Sequence, residues 1–188
     1  MNFAVFPTTQ GGPHNNTIAG VAVALKQACT PEFREYCKAV RKNAKALADA
    51  LRSYGYRIST DGTENHIVLW DLRPQKLTGS KMEKICEMAQ ITINKNSVAG
   101  DASAIAPGGV RLGTPALTTR GFTEEHFVKV AEFLHQTVQI ALTVQETCGS
   151  KLLKDFLEEA RNNEQIPQLA VEVEWFASQF PLPGVTEL

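Results

Sequence analysis

One arginine stands inside a short strand-like run, Gly108-Gly109-Val110-Arg111-Leu112-Gly113-Thr114-Pro115. A guanidinium presented this way can grip a planar carboxylate through two parallel hydrogen bonds, and the glycines let ligand and backbone approach closely. A second chemistry-bearing segment lies near the N-terminus, where Gln10-Gly11-Gly12-Pro13-His14 precedes an alanine-rich helical stretch. Its glycines expose backbone N–H groups beside the positive end of a helix dipole, which suits phosphate or another anion. Each segment also has a plainer reading: a solvated arginine on an edge strand, and an ordinary loop-to-helix junction. Four consecutive polar residues, Asn94-Lys95-Asn96-Ser97, either line a pocket or form a polar turn.

The elements that must position these residues follow from periodicity. Ile18, Val21, Ala22 and Leu25 recur at helical spacing over 15–29, with Pro13 suited to the first turn. A second helix restarts at Pro31 and runs to about Tyr54, burying Val40, Ala44, Leu47, Ala48 and Leu51, and Gly55 closes it. Residues 56–60 and 66–72 alternate as an antiparallel strand pair around Asp61-Gly62. Residues 82–89 form a short helix, 90–94 a short strand, and 96–109 a loop. Beyond Gly121 a helix carries Phe127, Val130, Ala131, Leu134, Val138 and Leu142 on one face, Gly149 interrupts it, and two further helical segments end near Phe180. The fold class is α/β of the α+β kind, a small mainly antiparallel sheet flanked by helices behind an N-terminal helical arm.

With 188 residues, 43% of them hydrophobic, the chain can bury a core of its own. The 19 basic and 20 acidic residues are interspersed, so no electrostatic footprint for nucleic acid or an anionic membrane is indicated, and no apolar run reaches membrane-spanning length. Cys29, Cys37, Cys86 and Cys148 lack CxxC spacing, which favours free thiols and gives no metal site. None of His14, His66, His126 and His135 stands at metal-ligand spacing; His126 and His135 fall on a helix surface, and Asp71 reads as a turn cap at a strand end. No P-loop, dinucleotide fingerprint or nucleophile elbow is present.

Taken together, Phe6-Pro7, Gln10 to His14, Asn94-Lys95-Asn96 and Arg111 to Ala116, in that order and spacing, resemble serine hydroxymethyltransferase. The closing run from Trp175 to Gly184 resembles the eukaryotic branch, so the likeness covers essentially the whole chain. It implies a transferase of the aspartate-aminotransferase-like fold type I that uses pyridoxal 5'-phosphate. The implied reaction turns serine and tetrahydrofolate into glycine and 5,10-methylenetetrahydrofolate, in one-carbon metabolism. The resemblance assigns Arg111 to the substrate carboxylate. Gly11 and Gly12 go to the cofactor phosphate of a neighbouring subunit, hence a homodimer or homotetramer in the parent. Lys95, Asn96, Ser103, Ala104 and Ile105 go to the folate. Ala99 stands where the family usually has proline and Gly108 where serine is common, which implies a looser loop.

The family's cofactor lysine follows a threonine run and a histidine, and these residues contain no such motif; the groups that sandwich and protonate the pyridine ring are missing too. The resemblance therefore implies a C-terminal fragment, residues 1–30 ending the large domain as a linking arm and 31–188 forming the small domain, with no catalytic residue of its own and no activity alone. The parent would be cytoplasmic or mitochondrial, any leader lying outside the fragment. The alternative is a standalone, non-enzymatic α/β binding or interaction module.

Overall fold

A computed structural model describes residues 2–102, 106–150 and 152–185. The chain divides into two compact units, Met1–Lys38 and Ala39–Leu188. The first contains a short helix α1 (Asn2–Val5), helix α2 (Asn15–Ala28) and the start of α3 (Pro31–Ser53). No side chain of α2 is buried, and Ile18 and Leu25 of its apolar stripe are 57% and 63% exposed. His14 is the N-cap residue of α2, so Pro13 precedes the helix and does not occupy its first turn.

The second unit builds a sheet with helices on one face. Val40, Ala44, Leu47, Ala48 and Leu51 of α3 are buried as their spacing requires, and Gly55 reverses the chain at φ +82°. Strand β1 is only Arg57–Ile58, because Thr60 and Asp61 both take left-handed φ and bend the chain out of the sheet. Strand β2 (Ile67–Asp71) pairs antiparallel with it, Ile58 opposite Trp70. Helix α4 (Gly79–Met88) starts three residues before the expected Met82, capped by the Thr78 hydroxyl, which accepts from the Lys81 N–H at 3.3 Å. Strand β3 is Asn94–Asn96, four residues later than expected at its start, since Gln90 takes φ +63° and holds the preceding apolar residues off the sheet. Strand β4 (Gly109–Gly113) lies between β2 and β3, giving the order β1-β2-β4-β3 with every pair antiparallel.

Three further helices follow α5 (Pro115–Thr119): α6 (Glu124–Cys148), α7 (Leu153–Arg161) and α8 (Gln165–Ser178). Gly149 stops α6 in the left-handed conformation, φ +62°. Val68, Trp70, Val110 and Leu112 point from the sheet into the core shared with α4 and α6, Trp70 at 0% exposure. Among the described residues no helix is long and apolar enough to cross a membrane.

Polar clamps fix the ends. The buried Asn43 amide on α3 donates to the Thr118 hydroxyl and the Phe122 carbonyl, both at 2.9 Å, and the Thr114 hydroxyl donates to the Val40 carbonyl at 3.0 Å. Arg120, just past α5, donates to the carbonyls of Ala177, Phe180 and Pro181 at 2.6, 2.9 and 3.2 Å, holding the chain at the end of α8. His126 and His135 lie half-buried on α6, as expected of its surface, and both are engaged. His126 accepts the Thr123 N–H at 3.0 Å as part of the α6 capping box, and His135 shares a 2.7 Å hydrogen bond with the Tyr56 hydroxyl beneath Tyr54, stacked at 4.2 Å.

Candidate functional site

Arg111 sits at the centre of β4, directly opposite Leu69 of β2 and Asn94 of β3. Because Val110 and Leu112 point into the helix-packed core, strand alternation sends Arg111 to the opposite face, where it is exposed. The strand is an inner one, so the Arg111 backbone is paired on both sides; the edge-strand reading does not hold. Among the described residues its guanidinium has neither an ion-pair nor a hydrogen-bond partner, whereas the sheet's other arginine, Arg57, faces Asp71 at 3.6 Å. Gly109 and Gly113 share its face and add no bulk. At Gly109 this is obligatory, since an added Cβ would fall 2.6 Å from the Trp70 carbonyl oxygen. The result is a cation on a rigid base with its five donors uncommitted, the geometry a planar carboxylate requires.

A buried ion network fixes the end of β2 to the loop before β4. The Asp71 carboxylate, 3% exposed, accepts from Arg73 through its backbone N–H at 3.1 Å, Nε at 2.9 Å and a terminal nitrogen at 2.8 Å. The same guanidinium reaches the Ala99 carbonyl at 3.0 Å and Asp101 at 3.5 Å. Asp101 in turn accepts the Val98 and Gly108 N–H groups at 3.0 and 2.8 Å. The two positions that departed from the family pattern are thus both engaged. Ala99 supplies an acceptor, and at Gly108 a Cβ would stand 2.7 Å from Arg73 Cγ, so the missing side chain is the space the arginine uses. Asp71 combines the expected turn cap with this ion pair, which the Asp71-Leu72-Arg73 spacing could have signalled.

The Arg73 hydrogen bonds hold the Asp71 carboxyl below the usual carboxylate range, and the Gly108 and Val98 N–H groups do the same for Asp101. A carboxyl whose folded pKa is depressed contributes stability fully above its unfolded value, about 4, and that contribution is lost as pH falls through the folded value. We therefore expect Asp71→Asn to lower the urea midpoint at pH 7 and the gap from wild type to close below about pH 4. A gap that is the same at pH 7 and pH 3 would show that the charge on Asp71 is not what stabilises this corner.

On β3, Asn94 and Asn96 lie opposite Arg111 and Gly109 and so share the Arg111 face, while Lys95, opposite Val110, turns to the other. The Lys95 N–H donates to Glu83 at 2.9 Å, and the Asn96 amide donates to the Ser97 carbonyl at 2.7 Å. The folate candidates Lys95 and Asn96 are therefore split between faces. Ser103, Ala104 and Ile105 lie outside the described residues.

In the first unit, Gly11 and Gly12 lie in the coil between α1 and α2. Among the described residues neither N–H has an acceptor, and a Cβ added at either position meets nothing within 4 Å. The first α2 bond runs from the Ile18 N–H to the His14 carbonyl at 3.0 Å, so the helix's positive end opens just beyond the pair. Of the sequence-derived candidates, the sheet brings Arg111 and Asn96 to one face.

Comparison with known proteins places the chain in a family. The family model described as serine hydroxymethyltransferase matches residues 1–134. Serine hydroxymethyltransferase 4 of Arabidopsis thaliana is 55% identical over 184 residues, covering 98% of this chain and 39% of the relative. A Caenorhabditis briggsae serine hydroxymethyltransferase is 51% identical over 188 residues, and the cytosolic enzyme of Oryctolagus cuniculus 50% identical over 190, covering 37% and 39% of those proteins. The chain thus spans well under half the length of the curated relatives it matches. With most of its length inside the family model and half of its residues identical to family members, this chain belongs to the serine hydroxymethyltransferase family.

Proposed function

We propose that the chain is the C-terminal portion of a serine/glycine hydroxymethyltransferase and contributes the substrate-carboxylate side of a pyridoxal phosphate site completed by polypeptide outside these residues. The observation that carries the reading is the unpaired Arg111 guanidinium on an inner strand. A side chain held in place by its backbone and left without a counter-charge suits the carboxylate of serine or glycine, which it would bind bidentately and orient. Pyridoxal phosphate, when bound, supplies the electron sink that bond breaking at an amino-acid α-carbon needs. The residues present fit its phosphate end: Gly11 and Gly12 offer two uncommitted N–H donors with open space above them. Asn96, on the Arg111 face, is the folate candidate best placed to act with it.

The exposed apolar residues of the first unit support a missing cover. Phe3, Phe6, Ile18, Val21, Val23 and Leu25 are all largely exposed, and Ile18, Val21 and Leu25 share one face of α2. The expected partner is the remainder of the enzyme, in the same subunit and its neighbour.

The test is reconstitution. The chain given serine, tetrahydrofolate and pyridoxal phosphate is expected to show no hydroxymethyl transfer. Co-expressed with the remaining length of a family member, it is expected to yield a complex that releases glycine. Turnover by the chain alone would overturn the inactivity, and failure of the pair to associate would favour the standalone module.

A further inference from the structure

A cavity lined by none of the residues on the Arg111 face holds a lysine charge that no carboxylate among the described residues pairs with. It occupies about 630 Å³ and is lined by Lys76, Thr78, Ser80, Lys81, Gln145 and Ser150, among others. Lys81 is 6% exposed. Its ammonium donates to the Gln145 side-chain oxygen at 2.8 Å and sits 4.8 Å from the centre of the Phe156 ring, both neutral partners. The other end of the Gln145 amide is taken by the Lys76 carbonyl at 3.3 Å, so that side chain is held by both lysines. No carboxylate is among the described residues lining this cavity; Asp155, just outside it, accepts from the Ser150 hydroxyl at 2.6 Å. The other two cavities described carry acids beside their cations, Asp49, Asp61 and Glu64 in one and Asp61 and Asp71 in the other.

We propose that this cavity is an oxyanion site for a phosphate group, either the free ion or a phosphate monoester. Two lysines act there as point charges, the Thr78 and Ser80 hydroxyls line the same cavity, and the Ser80 N–H in the first turn of α4 has no acceptor among the described residues. The absence of arginine from the lining favours a tetrahedral oxyanion over a planar carboxylate, for which the guanidinium fork is the matched donor. Burial pushes the Lys81 pKa down from the ordinary lysine range, with the neighbouring Cys148 opposing it. An ammonium that is desolvated and faced only by neutral groups gains most from an incoming anion. The site is independent of the assignment of Arg111, and its test needs no enzyme activity.

Titration of the 188-residue chain with inorganic phosphate, methyl phosphate and succinate, at ionic strength held constant with chloride, decides the matter by calorimetry. One saturable phosphate or methyl phosphate site per chain is expected, weakened about tenfold or more in both Lys81→Gln and Lys76→Glu. The tighter of the two phosphates identifies the source. Lys76 is exposed, so Lys76→Glu decides the outcome even if Lys81→Gln does not fold. No saturable binding, succinate binding as tight as phosphate, or phosphate binding that survives the variants and so lies elsewhere, such as at Gly11-Gly12, would each overturn the proposal.

Discussion

Replacing Arg111 by alanine in the reconstituted enzyme is expected to lower kcat/KM for serine by roughly two to three orders of magnitude, with most of the loss in KM. The size follows from removing one partner of a charge-assisted, bidentate pair, about 2–5 kcal/mol, and leaving the other charge unpaired in the site. Arg111→Lys restores the charge but not the fork, so it is expected to recover only part of the loss. The fold is not at stake, because Arg111 is exposed and makes no bond within the described residues that truncation would break. Kinetics of the two variants, alongside a melting curve for the chain, check this. Unchanged KM in Arg111→Ala would remove the guanidinium from substrate binding and with it the proposed function.

The largest expected effect on stability comes from a position that touches no ligand. Gly79 begins α4 with its N–H on the Pro107 carbonyl at 2.7 Å, and a Cβ there would fall inside the Gly109 carbonyl oxygen and 3.2 Å from the Lys95 Cβ. Neither neighbour is the loose end of a flexible side chain, so helix and strand must separate. Gly79→Ala is expected to cost about 3 kcal/mol, a fall in melting temperature of roughly 6–12 °C for a unit of this size. Gly12→Ala supplies the contrast. Its Cβ meets open space, and the melting temperature is expected to stay within about a degree of wild type. Equal melting temperatures for Gly79→Ala and wild type would mean that α4 is not held as closely against β4 as described.

Long helices were legible because their apolar positions repeat over many turns. The stripe from Val40 to Leu51 and the face from Phe127 to Val138 both lie in the core. Short strands were not, since three residues carry too little alternation to fix a boundary. β3 slid from 90–94 to Asn94–Asn96 because of one left-handed residue, and β1 lost its second half to two others. The same limit acted at the site. Arg111 could be placed in a strand from its glycine and branched neighbours, but whether that strand was inner or edge depended on its pairing with both β2 and β3, segments distant in sequence. Lys95 and Asn96 looked like one functional unit in sequence, and the pleat separates them. Lys81 gave no signal at all, because a lysine between serine and methionine reads as a solvated helix residue until α6 and α7 close over it. The resemblance named candidate residues, whereas pairing and burial determined which of them share a face.

Arg120 holds the end of α8 through three main-chain oxygens and no side chain. Such a grip reads the path of the tail and ignores its lettering. Ala177 and Pro181 are therefore free to drift in identity as lineages diverge, provided that the number of residues between α8 and the final turn stays fixed. Phe180, wedged 3.9 Å from Phe122, is the exception. Insertions or deletions of a single residue here should be rarer among descendants than substitutions, an asymmetry that a deep mutational library scored for folded yield would reveal directly.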